Sequence, residues 1–523
     1  MVSSFLIEAL ASPTRVIQEL WDATSPDTSE DFPEAVLKHF SDIFSTDDAL
    51  YEIAPLDADH PPEAYPDRAL VCFRAMVQDT SPSPEMYMSR LPSGRPGGWG
   101  VCDPKDHEGD RTAIDYDALR DCTVLWAVTI PGESEWYRKY LSQHQTDHSQ
   151  QKHKASRPHK SPVPHHAHVG AQVKIYHKLG NSAPKTTDVV DFVGVLTNEP
   201  LHAEAEDVIF VPTVHVVFSR PHIHGHTRLL SPCITEDPSH VRDELISWIA
   251  DEALGGDMDT AEWILLACIS RVQSRNHGLN PLTLTVTHFP PSPEDNTTPT
   301  LSHVMSTLLP MSIMLPLSLE MLNTLPFTPE NKNEDLHSGV LQVASGTTFL
   351  ITEDVVKEGK LLEQGVLNVM AVQNVMTTQS LSYKFPFSEF TFPTDINFVL
   401  LSPGRNSAFF KADINITIKP MAGSAFYKLV GDIQMPSKDR LRAFRALLLH
   451  AKWGQIKVLE STSQYIQDDF VQERQSNKLA STDDLKRTIS IARLVGLLAG
   501  EKELTVDVWK RAKALEVRRQ ARL

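Results

Sequence analysis

The sequence predicts a multidomain α/β protein in which a β-rich domain, an α/β domain and a helical C-terminal domain follow one another. Three observations predict it. Apolar residues change from helical to strand-like patterning near Ala69. Strand-like and helical segments alternate between about 236 and 435. From about Pro436 the chain reads as helix to its end. The chain has 523 residues, and at about 100–200 residues per domain roughly three domains are expected.

The first region, 1–66, reads as a small helical segment. Phe5, Leu6, Ala9 and Leu10 fall on one helical face, as do Phe32, Ala35, Val36 and Phe40, and Pro33 stands where a helix can begin. Region 67–235 is β-rich. Ala69–Val77, Glu85–Met88, Thr123–Ile130, Val173–Tyr176, Val189–Leu196 and Val208–Val217 are strand-like, rich in Val, Ile, Phe and Tyr, and consistent with a small, OB-like barrel. The stretch 142–170 interrupts them. It is polar with almost no large apolar residues, which predicts a disordered insertion.

Region 236–435 is predicted as α/β. His240–Leu254 and Thr260–Val272 are helical. Leu282–Val286 is a strand, Leu301–Leu309 a helix and Met314–Leu319 a strand. Gly339–Val343 and Thr348–Ile351 read as strands, Asn368–Met376 as helix and Ile396–Leu401 as strand. Alternation of this kind predicts a mainly parallel sheet. Region 436–523 carries four helices: Arg440–Leu449, Thr462–Arg474, Asp483–Leu498 and Val506–Arg519. Ser481 or Thr482, and Thr505, supply N-cap signals.

Bulk properties narrow the function. The 49 Lys and Arg against 67 Asp and Glu leave a net charge of −18. That balance disfavours sequence-independent binding to nucleic-acid phosphates and suits basic protein partners. Five cysteines, none in a Cys-x-x-Cys pair, argue for a reducing compartment. The apolar stretch His303–Phe327 is broken by Pro310, Pro316 and Pro326, and the N-terminus lacks the basic flank of a signal peptide. A soluble intracellular protein without membrane contact is expected.

No familiar catalytic motif is present. A phosphate-binding loop needs two glycines, a Lys and a Ser or Thr at fixed spacing. The only Gly-Lys pair, Gly359–Lys360, is followed by Leu361, and Asp354 stands at the first glycine position. One partial signal remains: Phe349, Leu350 and Ile351 lead through Thr352 into Glu353 and Asp354, as in a degenerate Walker B strand. The simpler reading is a buried strand with acids at its exposed end.

Histidines 144, 148, 153, 159, 165, 166 and 168 cluster in the polar insertion, and His222, His224 and His226 follow a strand. Without fixed spacing or nearby thiols, a biased linker and a surface loop are the expected readings, and neither a metal nor a cofactor is expected. Basic residues Lys510, Arg511, Lys513, Arg518, Arg519 and Arg522 suit a helix C-terminus better than a nucleic-acid patch, because no aromatics interleave them. Trp263 and its apolar neighbours could line a partner groove, but core is the simpler expectation.

An ordered set of segments resembles the mini-chromosome maintenance (MCM) complex-binding protein family. They are VCFRAMVQDTSPSPEMYM at 71–88, PGESEW at 131–136, VPTVHVV at 211–217, GDMDTAEWILLACISRV at 256–272 and SGVL at 338–341. LEQGVLN at 362–368, FPTDIN at 392–397, Gly404–Ser407, DDFVQER at 468–474 and DVWKRAKALEVRR at 507–519 complete it. The resemblance spans about 70 to 519, and 142–170 coincides with a variable, low-complexity place in the family.

The resemblance implies a nuclear, non-enzymatic partner of MCM helicase subunits, associated with chromatin through them. It implies a part in DNA replication and cell division: assembling or protecting MCM subcomplexes, releasing MCM from chromatin in late S phase, and sister-chromatid cohesion. It also implies an AAA+-like core without a phosphate loop, capped by a helical lid, in effect a pseudo-ATPase. Glu353 and Asp354 would then stand at the MCM acidic pair, Ile396–Ser402 at the sensor strand, and Asp483 near the lid's phosphate-contacting Arg. Two other readings stay open. One is an ATPase with an atypical site at Glu353 and Asp354. The other is a single-strand nucleic-acid module using Phe73, Tyr87 and Trp126. The subunit contacted, and any regulation through Thr80–Pro84, are not legible.

Overall fold

The computed structural model describes residues 4–24, 31–101, 115–142, 157–163, 165–180, 183–201, 209–222, 237–294, 297–354, 356, 359–476 and 481–523. The chain divides into two compact units. One comprises Met1–Pro131, Tyr137–Ile223 and Pro329–Ala344; the other comprises Gly132–Trp136, His224–Thr328 and Ser345–Leu523. The sequence suggested four consecutive regions; the structure has two units that each take a short piece of the other's stretch of chain.

The first unit begins with helices α1 (Ser4–Ala11), α2 (Pro13–Ala23), α3 (Phe32–Ile43) and α4 (Asp47–Tyr51). Proline stands in the first turn of α2 and α3, where a missing N–H costs nothing. Leu6, Ala9, Ile17, Val36 and Phe40 bury against Trp99, Tyr176 and Phe218. The strands follow: β1 (Ala54–Pro55), β2 (Leu70–Asp79), β3 (Glu85–Met88) and β4 (Leu119–Thr129). After helix α5 (Glu135–Ser142) come β5 (Gly170–Ile175), β6 (Val189–Leu201) and β7 (Ile209–Pro221).

Five of these strands close into a ring. β2 pairs antiparallel with β4, β4 with β5, β6 with β7 and β6 with β2; only β5 and β7 are parallel. Val71, Phe73, Ala75 and Val77 alternate along β2 into the interior, where Ala171, Val173, Phe192, Val214 and Val216 join them. A period of two puts one set of side chains inside and the other outside.

Part of the stretch expected to be disordered is built into this unit. Residues 157–163 and 165–170 are described, and Lys160 in the turn Pro158–Lys160 is 2% exposed. The expectation failed there because the segment is held by ion pairs and backbone hydrogen bonds, which leave no apolar signature in the sequence.

The second unit opens with α6 (Pro238–Ala253) and α7 (Met258–Ile269). Then come β8 (Leu284–Thr287), α8 (Thr300–Leu308), β9 (Ser312–Pro316) and α9 (Leu319–Thr324). The hairpin of β10 (Glu330–Lys332) and β11 (Asp335–His337) belongs to the first unit. Asn333 and Glu334 both have positive φ, the conformation a two-residue hairpin turn demands. The second unit continues with β12 (Thr348–Thr352), α10 (Glu363–Thr378), the hairpin β13 (Ser380–Phe385) and β14 (Ser388–Pro393), β15 (Asn397–Leu401) and β16 (Ile414–Thr417). It ends with α11 (Lys438–Trp453), β17 (Lys457–Val458), α12 (Glu460–Ser476), α13 (Thr482–Leu498), β18 (Glu503–Leu504) and α14 (Val506–Gln520).

Its sheet has the order β16-β8-β15-β12-β9 with every pairing parallel. β8, β12 and β15 are buried along their whole length, as parallel strands covered on both faces are. The C-terminal helices do not form a separate core. Leu447 of α11, Ile491 of α13 and Trp509 of α14 share one apolar cluster with Trp263 of α7 and Val286 of β8. No helix among the described residues is long and apolar enough to cross a membrane.

Gly339–Val343 is not a strand but an irregular segment. Its Val340, Leu341 and Val343 are apolar because they are buried. Gln342 supplies the order that pairing would have supplied: its amide donates to Gln78 O, and its side-chain oxygen accepts from Ser338.

The PGESEW segment is held by the second unit. Ser312 N–H donates to Gly132 O, Ser134 N–H and Oγ donate to Pro310 O and Leu309 O, and the Trp136 indole donates to Ser306 O. Gly132 has φ +71°, and a Cβ there would lie 2.4 Å from Ile313 Cγ1 and 2.9 Å from Ser312 O. Gly132→Ala is therefore expected to destabilise by roughly 1–3 kcal/mol in urea unfolding. A change inside 0.5 kcal/mol would show that the loop simply shifts.

Candidate functional site

Ligands of open α/β sheets bind beyond the C-terminal ends of the strands. In the second unit those ends carry the loop after β8, Glu353 and Asp354 after β12, and Ser402 after β15.

The loop after β8, residues 288–299, contains four prolines and no glycine. A phosphate cradle is made of consecutive backbone N–H groups, which proline lacks. The helix start behind it is also engaged. Thr300 N–H donates to Phe426 O, and the Thr300 hydroxyl accepts from Lys428 N–H. Phe289 packs edge-on against Phe426 and Tyr427, and Tyr427 Oη donates to Pro290 O. Burial, with Asp354 nearby, holds the Tyr427 phenol well above its ordinary range. Aromatic rings and backbone hydrogen bonds thus close this strand end.

Glu353 is 3% exposed. Its carboxylate accepts from Ser407 Oγ at 2.5 Å and Ala408 N–H at 3.0 Å, and its own N–H donates to Leu401 O. Those bonds pin the loop after β15 to the end of β12, a structural task. Glu353→Ala should cost about 1–3 kcal/mol, because Ser407 Oγ and Ala408 N–H lose their acceptor. Thermal unfolding checks it; a variant as stable as the parent would mean that water replaces the carboxylate. Asp354 follows at the same edge, with one buried carboxylate oxygen that no donor among the described residues reaches.

Asp483 does not sit beside these acids. It lines a cavity of about 280 Å³ with His277, Asn280, Thr283, Asp413 and Arg487. Residues 277–283 precede β8 and Asp413 precedes β16. Asp483 therefore lies at the N-terminal ends of the strands, the opposite edge of the sheet from Glu353. The position that the resemblance implied for Asp483, near a phosphate-contacting residue, is therefore not at the strand ends that carry Glu353. Ser481 caps α13 in a capping box with Asp484, as the sequence suggested.

The other candidates are structural as well. Phe73 is fully buried and Trp126 is 3% exposed, so neither offers a free face for stacking a base, and half-buried Tyr87 packs edge-on against Tyr176. Trp263 is fully buried in the core. The C-terminal basic residues are paired: Arg511 with Glu501, Lys513 with Asp469 and Glu473, Arg518 with Asp259, Arg519 with Glu516, and Arg522 with Asp257 and Asp259. Lys510 lies over the Tyr465 ring. Burial pushes the thiols of Cys72 and Cys268 up to about 12.

Histidines 144, 148, 153, 224 and 226 lie outside the described residues. His165 and His166 are exposed, and His168 is buried with Nδ1 on His166 O. His222 sits between Tyr137 and Asp191. Thr80–Pro84 is exposed. Sequence reasoning missed three polar residues that organise the interior: Lys160, Asn397 and Lys452. A buried Lys leaves no pattern along a sequence.

The family model described as mini-chromosome maintenance replisome factor matches residues 138–523. The chain belongs to that family. Among its relatives are proteins named mini-chromosome maintenance complex-binding protein. The one from Gallus gallus is 25% identical over 98% of this chain and 97% of its own length. That of Arabidopsis thaliana is 27% identical over 67% of this chain and 62% of its own. That of Homo sapiens is 30% identical over 62% of this chain and 53% of its own. Several segments that carried the resemblance to the MCM complex-binding protein family have structural tasks. PGESEW docks on α8 and β9, Asn397 of FPTDIN binds the end of α7, and Asp469 of DDFVQER accepts from Trp509 and Lys513.

Proposed function

We propose that this protein is a non-catalytic, nuclear binding partner of the MCM complex that works as a helicase-subunit look-alike. The family and the names of the relatives support MCM as the partner. Counted in chain order, the parallel strands of the second unit run 5-1-4-3-2, which supports an AAA+-like core. The closed five-stranded ring supports an OB-like first unit. Helices α11 to α14 would be the lid counterpart, although here they share the core of the sheet.

One observation carries the non-catalytic part. The place of the phosphate loop holds proline-rich chain, and the helix behind it is closed off by Phe426 and Phe289. Such a subunit could occupy an MCM interface without entering the ATP cycle. Subcomplex assembly or protection, release from chromatin in late S phase and a role in cohesion would follow from that competition. The atypical-ATPase reading is disfavoured because Glu353 is engaged by Ser407 and Ala408. The single-strand reading is disfavoured because Phe73 and Trp126 are core.

Two experiments test the proposal. Calorimetry with ATP and Mg²⁺ should show no saturable binding at millimolar ligand; a clear isotherm would end the non-catalytic reading. Native mass spectrometry of the protein purified from nuclei should show MCM subunits bound, and a clean preparation without any MCM subunit would falsify the partnership.

A further inference from the structure

His159, Asp335 and His337 come together in the first unit from two separate parts of the chain. Their ligand atoms all lie within 4.8 Å of one another. Asp335 and His337 are two apart on β11 and so project from the same face of the strand. His159 is brought to them by the turn Pro158–Lys160, which Ser338 N–H fixes by donating to His159 O at 2.9 Å. His159 Nε2 is 2.7 Å from Asp335 Oδ2, and the two imidazole rings are 4.3 Å apart between centroids.

We propose that this triad is a binding site for a divalent transition-metal ion, zinc above all. Two imidazoles and one carboxylate are the donor set of borderline ions such as Zn²⁺ and Co²⁺, whereas Mg²⁺ and Ca²⁺ take oxygen ligands. The observed spread is slightly wider than a tetrahedral zinc site, whose ligand atoms lie about 3–4 Å apart, so a small rotation of the rings closes it. The fourth position is left to water.

The surroundings decide whether the ion can be held. Lys160 Nζ binds Asp335 Oδ1 at 2.6 Å and would keep the carboxylate oriented, the task an outer partner performs at metal centres. Arg157 competes for Oδ2 at 2.5 Å, but its guanidinium already lies 5.4 Å from the Trp126 ring and can rest there when the ion takes the oxygen. Asp79 and Asp335 balance Lys160 and Arg157, so the ion enters a cluster without net charge.

The test uses the full chain, Zn²⁺ in calorimetry and Co²⁺ in visible absorption. One equivalent of each should bind, with the intense absorption of a four-coordinate cobalt site. His159→Gln and His337→Gln, verified as folded by circular dichroism, should each bind at least about tenfold more weakly. The chain carries other histidines, so the variants decide. No saturable binding to the parent chain, or full affinity in either variant, overturns the proposal. If either variant misfolds, ion-dependent protection of His159 and His337 from diethyl pyrocarbonate, read by peptide mass spectrometry, replaces it. Protection of neither histidine also overturns it.

Discussion

Lys452→Ala lowers the stability of the second unit by about 3–5 kcal/mol, the loss expected when three buried acceptors lose their shared donor. Lys452 lies in the last turns of α11 and is 7% exposed. Its ammonium donates to Cys268 O at 3.0 Å, Gly346 O at 2.8 Å and Asn397 Oδ1 at 3.0 Å. Asn397 Nδ2 donates in turn to Ala267 O and Ser270 O. The two side chains thus satisfy carbonyls at the C-terminal end of α7, which a helix cannot satisfy for itself. Alanine leaves three buried acceptors bare at about 1–3 kcal/mol each before relaxation.

Equilibrium urea unfolding reads the loss, and a value under 1 kcal/mol would show that the cavity admits water at no cost. Asn397→Ala should be non-additive with it, because the two residues share one network. Burial lowers the Lys452 pKa below its ordinary value. Between those two values the unfolded chain holds more protons than the folded one. This group alone therefore makes stability rise with pH across that window.

Lys160→Ala should cost the first unit a similar amount, about 3–5 kcal/mol. The Lys160 ammonium bridges Asp79 Oδ2 and Asp335 Oδ1, each at 2.6 Å, and both Lys160 and Asp79 are almost fully buried. Without it Asp79 keeps, among the described residues, the N–H and Oγ of Ser81 as donors. The same variant changes the acid response. Burial by itself would raise the Asp335 pKa. The hydrogen bond with His159 and the charges of Lys160 and Arg157 outweigh it and hold this carboxyl well below the usual aspartate range. A depressed carboxyl contributes stability that is fully present above the unfolded value of about 4 and fades as pH falls toward the folded value. The parent chain should therefore lose stability below about pH 4 more steeply than Lys160→Ala. Thermal melts between pH 3 and 7 compare them, and parallel curves would remove Lys160 from the explanation.

How much of this could be read beforehand depended on the kind of force involved. The helices of 238–269 and 438–520 were legible because burying one face of a helix imposes a period of about 3.6 on apolar residues. The strands of the ring were legible because β-branched and aromatic residues recur in them. Gly339–Val343 misled because burial alone makes an apolar run, whether or not a strand forms. The hairpin β13–β14 was missed although Leu381, Tyr383 and Phe385 alternate along its first strand and Phe390 and Phe392 along its second, which is exposed at every position but Phe392.

The site followed the same division. Absence of a phosphate loop is a local statement about consecutive residues, and the chain alone determined it. Glu353 and Asp354 at the end of a buried strand were likewise local. Three things needed the tertiary structure. It engaged Glu353 with Ser407, 54 residues away; it set Asp483 at the other edge of the sheet; and it brought His159 from a polar stretch to Asp335 and His337, 176 and 178 positions on. Apolar periodicity is written residue by residue because water acts on each side chain where it stands. Polar partners carry no such record, since one buried charge can be matched by any acceptor the fold delivers.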